Sequence, residues 1–246
     1  MKPYRIYLPE QQQPIYEITE KNANFFRLAR LIIDVCNDVM RDLLKSLIVG
    51  GEQELTKRIL LRKNVLRNRR LNYEQTCKLF PSNNTSVDYN SLDFTLMYMI
   101  CRNVLDAEIE SRSGTTTWGR IPDPSDTSLL AAIERMRYCR NKFIAHAEST
   151  YFNDEEFNEQ WNTIEEAVII IDTHLDRQVV SVSYKHEMKN LKRSSTDPQS
   201  RRILMEKIYW ERRYFALHQM EGNYFFFSLC TLFYHFLSFV STLFCL

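Results

Sequence analysis

The sequence predicts an all-α fold. Turn formers are scarce: the 246 residues contain five glycines and seven prolines. Apolar residues recur at spacings of three and four through several long segments, the signature of amphipathic helices. No segment alternates apolar and polar residues as a half-buried strand does. Hydrophobic residues make up 44% of the chain, enough for a packed core, and charged residues 26%, ordinary for a soluble globular protein. This length accommodates one large domain, or one domain with extensions.

The first element spans about Glu17 to Leu47. Phe25, Leu28, Ala29, Ile32, Cys36, Val39, Met40, Leu43 and Leu47 form one apolar face. Gly50-Gly51 is expected to stop it. The following "ELTKRILLRKNVLRNRR" holds seven basic residues and no acid between Lys57 and Arg70. Leu55, Ile59, Leu60 and Val65 give it a weak apolar side. It reads either as a solvated basic helix or loop, or as a patch that contacts phosphate.

Residues 83–90 read as a polar loop. "SLDFTLMYMICRNVL" then carries Phe94, Leu96, Met97, Met99, Ile100, Cys101, Val104 and Leu105 on nearly every side, as a central helix does. Its Arg102-Asn103 pair reads as structural. Residues 111–126 form the clearest loop, with two glycines, two prolines and Trp118 as the one large anchor. Asp126, Thr127 or Ser128 can cap the next helix, about Leu129 to His146. Asn153 starts another, with Glu156 completing a capping box. Phe157, Trp161, Ile164, Val168, Ile171 and Leu175 repeat along it, opposite an acidic outer face. Beyond about Arg177 the chain turns polar, breaks at Asp197-Pro198, and reads as helical again from Arg201 to Met220.

Several function classes are excluded. Net charge is +1, so global electrostatics does not advertise a nucleic-acid binder. The six cysteines form no CxxC pair and none has zinc spacing to a histidine. They read as buried reduced thiols. No phosphate-binding glycine loop is present. No metal or cofactor is expected. The start, "MKPYRIYLPEQQQP", lacks an apolar signal core, so the expected compartment is the cytosol. Sequons at Asn83 and Asn84 carry no meaning there.

One helix carries the candidate chemistry. In "CRNKFIAHAEST", Arg140 and Asn141 are followed by His146. At about 100° per residue, Arg140 falls within the stripe made by Leu129, Leu130, Ile133, Met136, Phe143, Ile144 and Ala147. Arg137 shares that side. A core-facing arginine needs an anion or a water-lined cleft. Either an acid on a neighbouring helix supplies it, or the arginine serves an anion site in a groove or subunit interface. His146 lies about 120° round from Arg140 and about 9 Å along the axis, so the two do not share a face.

This Arg-Asn…His pattern on the penultimate helix of a helical bundle resembles the signature of HEPN domains. "NFFRLARLIIDVCNDVMRDLL", "LDFTLMYMICRN", "IPDPSDTSLLAAIERMRYCRNKFIAH" and "FNEQWNTIEEAVIII" resemble, in order, the subtype named after DAZ-interacting zinc finger protein. The resemblance covers residues 15–176. It implies an up-and-down helical bundle that homodimerises, followed here by an extension at residues 177–222 and an apolar tail at residues 224–246.

The resemblance also implies a choice of roles. One is a self-associating module in RNA-related or innate-immune-type signalling. The other is a metal-independent endoribonuclease. In the latter, His146 supplies acid-base catalysis, Arg140 stabilises the developing phosphorane charge, and Asn141 orients histidine or phosphate. A two-fold dimer would bring two motifs to one cleft. Arg137 and Lys142 beside the motif, with Arg62, Lys63 and Arg67 from the basic run, are the candidate RNA contacts. There is no RING pattern, so ubiquitin-ligase activity does not transfer.

The tail, residues 224–246, is 23 residues without a charged side chain, long enough to span a bilayer. Arg212 and Arg213 precede it, as on a cytosolic flank. It reads as a membrane anchor facing the cytosol, as a partner-binding helix, or as a truncated or misread end.

Overall fold

A computed structural model describes residues 20–69, 71–82, 85–111, 114–146, 152–194 and 208–209. Among these residues the regular structure is entirely helical. The first long helix is α1 (Glu20–Arg30) and α2 (Cys36–Leu47), joined by a π-helical turn at Leu31–Val35. There the Cys36 N–H reaches back to the Leu31 carbonyl. The widened turn keeps Phe25, Leu28 and Ile32 on the same buried side as Val39, Met40 and Leu43.

The helix ends at Leu47, as expected, but the two glycines do more than stop it. Gly50 has φ of 111° and caps α3 (Gly51–Leu61), whose first residue is Gly51. A side chain at Gly50 would sit in the left-handed region, which glycine alone enters at little cost.

The basic run is helical: α3 continues into α4 (Lys63–Arg67). Its inward face differs from the one read off the sequence. Leu55, Ile59 and Leu66 are buried, whereas Leu60 and Val65 are exposed. The backbone at Arg62 leaves helical geometry, with φ of −102° and ψ of 13°. Leu66, seven residues after Ile59, still falls on the same face, whereas Val65 is turned away from it.

α5 (Tyr73–Leu79) starts with a capping box between Asn72 and Gln75. A 3-10 turn at Tyr89–Ser91, with Tyr89 buried, then leads to α6 (Phe94–Asn103). Asp93 caps α6 by accepting from the Leu96 N–H at 2.9 Å. Its residues Phe94, Leu96, Met97, Ile100 and Cys101 are buried, as a central helix requires. Asn103 is buried too, bonded to the Met99 carbonyl and to Arg69, which bears out the structural reading for Asn103.

α7 (Asp106–Glu110) precedes the loop; α8 (Leu129–His146) and α9 (Asp154–Thr173) follow it. The last two form a hairpin packed along most of its length. Asn24 bonds Asp154 at one end of the bundle, and Ser46 bonds the Asp176 N–H at the other. The long first helix therefore runs parallel to α9 and opposite to α8. All six apolar positions expected on α9 and just beyond it, from Phe157 to Leu175, are buried.

The polar stretch after Arg177 contains one further helix, α10 (Tyr184–Arg193). It packs on α9, the π turn and α1. Tyr184, Met188 and Leu191, spaced by four and three, are its buried face. The Tyr184 hydroxyl donates to Asp42 at 2.6 Å, and Lys192 lies 5.3 Å from the centre of the Trp161 ring. Three apolar residues in ten are too few to mark a helix in the sequence, and they suffice because Lys192 completes the cover with its aliphatic stem.

Among the described residues, no helix is long and apolar enough to cross a membrane. The expected helix over 201–220 and the apolar tail at 224–246 lie outside the described residues, apart from Ile208 and Tyr209, which are helical.

Candidate functional site on α8

The loop of residues 114–128 sets the start of α8. Ser128 is the cap, its hydroxyl accepting from the Ala131 N–H at 3.3 Å. Asp126 does something else. One carboxylate oxygen accepts from the Thr115 and Thr116 N–H groups and from the Thr116 hydroxyl at 2.6 Å; the other accepts from the Ser128 N–H. Burial alone would raise its pKa. The bonds from Thr116 and Ser128 outweigh that and hold the carboxyl well below the usual carboxylate range.

Two turns into α8 lies Glu134, fully buried. Three donors satisfy it. Tyr98 of α6 and the Gly119 N–H each reach one oxygen at 2.7 Å, and Arg137 reaches the other at 2.6 Å. Gly119 has φ of 82°, which lets the loop turn its N–H onto the carboxylate. The Arg137 guanidinium also lies 5.5 Å from the Tyr98 ring centre, and the Trp118 ring meets Tyr98 edge-on at 5.7 Å. Trp118 thus anchors its loop as expected. Burial, and then the bond to Glu134, push the Tyr98 phenol well above its usual range.

One turn further on, Arg140 is half-buried, its guanidinium 5.4 Å from the centre of the Phe94 ring at the start of α6. Beneath it, Cys36 and Cys139 are buried thiols. Burial pushes Cys139 up to about 11 and Cys36 higher still, with Cys139 adding to the shift and Arg140 opposing it. Both stay protonated and unreactive near neutral pH.

Asn141 is half-buried and Lys142 is exposed. His146 is the last residue of α8, and its side chain lies outside what the structure describes. The backbone around it is held by aromatic rings. Phe143 stacks on Phe25 at 5.2 Å and on Phe152 at 6.1 Å, tying the end of α8 to α1 and to the approach of α9.

The expected contacts therefore separate into two groups. Arg137, Arg140, Asn141 and Lys142 share the second half of α8, the first two against α6. Arg62, Lys63 and Arg67 stand on the α3–α4 arm; α4 packs on α6 and α3. The acid that holds Arg137 comes from its own helix, one turn back, not from a neighbouring one. Glu134, Tyr98 and Gly119 are the residues that sequence reading missed. The i,i+3 spacing of Glu134 and Arg137 was the one available signal.

A helical bundle with Arg140, Asn141 and His146 along the second half of α8 is the architecture expected of HEPN domains. A family model described as DZIP3/hRUL138-like HEPN matches residues 52–204, and the chain belongs to this family. The match takes in α3 through α10, so the polar stretch with α10 falls within it. No curated protein and no solved structure matches the chain.

Proposed function

We propose that the chain is a self-associating HEPN module that acts in RNA-related or innate-immune-type signalling interactions. The observation that carries this reading is that the motif's own Arg140 and its neighbour Arg137 are both engaged with residues of the fold. Arg137 is held by the buried Glu134, and Arg140 covers Phe94. Tyr138 and Lys142, one turn apart, are left as the exposed edge of α8 on which a second copy can dock. Sedimentation equilibrium tests it. A dimer that Tyr138→Glu converts to a correctly folded monomer supports the reading; a wild-type monomer at every concentration overturns it.

The alternative is a metal-independent endoribonuclease using Arg140, Asn141 and His146 across a dimer cleft. The half-buried placement of Arg140 and Asn141, on the helix that ends at His146, supports it. Purified protein would then cut single-stranded RNA in the presence of EDTA. Arg140→Ala and His146→Ala would each abolish cleavage while the dimer persists. Equal inertness of wild type and both variants removes this reading. The uncharged stretch 224–246 supports a third role, a tail-anchored adaptor. It predicts carbonate-resistant membrane association that is lost when those residues are deleted.

A further inference from the structure

The α3–α4 arm carries side chains that neither the core nor the α8 motif uses. Leu55, Ile59 and Leu66 face inward. On the other side Leu61 is 78% exposed, Leu60 49% and Val65 40%. The Leu66 N–H bonds the Arg62 carbonyl at 3.0 Å, so the helical path nearly continues through Arg62. Leu61 and Val65 are therefore one turn apart and form a single aliphatic strip.

Basic residues are interleaved with that strip. Lys57 and Arg58 are neutralised by Glu54, and Arg58 also by Glu108. Arg69 bonds Asn103. Arg62, Lys63 and Arg67 differ: among the described residues no ion pair joins them to a carboxylate. Lys63 and Arg67 lean over the Phe80 ring at 5.7 and 5.6 Å; along the helix they lie to one side of the arc of Leu60, Leu61 and Val65, and Arg62 lies to the other.

We infer that this arm docks on an anionic lipid surface. Exposed leucines gain from hydrocarbon, and guanidinium and ammonium groups gain from phosphate. The interface of an anionic bilayer offers both within one turn of helix. A nucleic acid offers the phosphate but leaves the three aliphatic side chains without a partner. The ring on which a base would stack, Phe80, is already covered by two cations. The inference is independent of the reading of Arg140 and His146.

Flotation of the full chain with phosphatidylcholine vesicles, with and without phosphatidylserine, tests it. Binding should favour the phosphatidylserine vesicles, and added salt should weaken the preference. Arg62→Glu with Arg67→Glu should lower affinity for those vesicles at least ~25-fold, at about fivefold per charge removed. Leu60→Ser with Leu61→Ser should lower it about tenfold. These positions are exposed, so an unchanged melting temperature shows that the fold is intact. Arg212 and Arg213 before the tail, and the lysines of α10, can also favour phosphatidylserine, so the arm's share is read from the charge-reversed variant against wild type. Equal binding of wild type to both vesicle types overturns the inference. So does a charge-reversed variant that keeps its vesicle preference, including one that loses affinity for single-stranded RNA instead.

Discussion

Arg137 on α8 and Arg62 at the α3–α4 junction are both arginines on helices, in opposite states. Arg137 is tied to a carboxylate that has no exposure at all, with Tyr98 and Gly119 as fellow donors. Arg62 stands in solvent next to the exposed Leu61. The local density of bases does not separate them. What separates them is whether the fold buries an acid within reach. Glu134 ties Arg137 into the bundle, while the arm keeps Arg62 outward.

The sharpest way to break this contrast is Glu134→Ala. It leaves a guanidinium, a phenol and a peptide N–H facing an apolar void. Removing one partner of a buried pair costs about 3–5 kcal/mol, so the melting temperature should fall steeply. Thermal unfolding followed by circular dichroism measures this. If Glu134→Ala melts as wild type does, the carboxylate is not what organises the site.

Gly114→Ala probes the loop that feeds α8. An added Cβ would lie 2.6 Å from one Asp126 carboxylate oxygen and 3.0 Å from its carbon. Three residues hold that carboxylate, so it cannot swing aside. The expected loss is about 1–3 kcal/mol, the usual range for overpacking. Asp126→Ala in the same background should recover part of that strain, while itself losing the bonds to Thr116 and Ser128.

Asp126 also predicts a pH dependence. Its folded-state pKa is depressed, so its contribution is fully present above the unfolded value, near 4, and is lost as pH falls below it toward the folded value. Wild type should lose stability between about pH 4 and pH 2 in excess of Asp126→Asn. Parallel acid melts of the two proteins check the difference.

Much of the bundle was legible because one-dimensional periodicity governs it. The stripe from Phe157 to Leu175 and the limits of α8 follow from spacing and capping chemistry alone. Two things were not legible, and both are tertiary. One is which side of the basic run faces inward: Leu55, Ile59 and Leu66 share one helical face, Leu60 and Val65 lie on others, and the packing of α4 on α6 decides between them. The burial of Glu134 depends on Tyr98, 36 residues earlier, and on a loop glycine 15 residues earlier. The placement of Arg140 lies between these cases. Its direction followed from the helical projection, but Phe94 as the surface beneath it came only with the packing of α6 on α8.

The smallest expected effect belongs to Arg62 and gives the comparison its other limit. Arg62 is exposed and supports no described ion pair, so Arg62→Ala should change stability by no more than about 0.5 kcal/mol. Urea unfolding of Arg62→Ala beside Glu134→Ala reads both ends on one scale. A cost at Arg62 approaching that at Glu134 would mean that the arm's cations are structural, and the contrast between the two helical regions would collapse. A negligible cost leaves Arg62 free to serve a surface outside the chain, because a side chain that contributes nothing to folding is constrained only by what it binds.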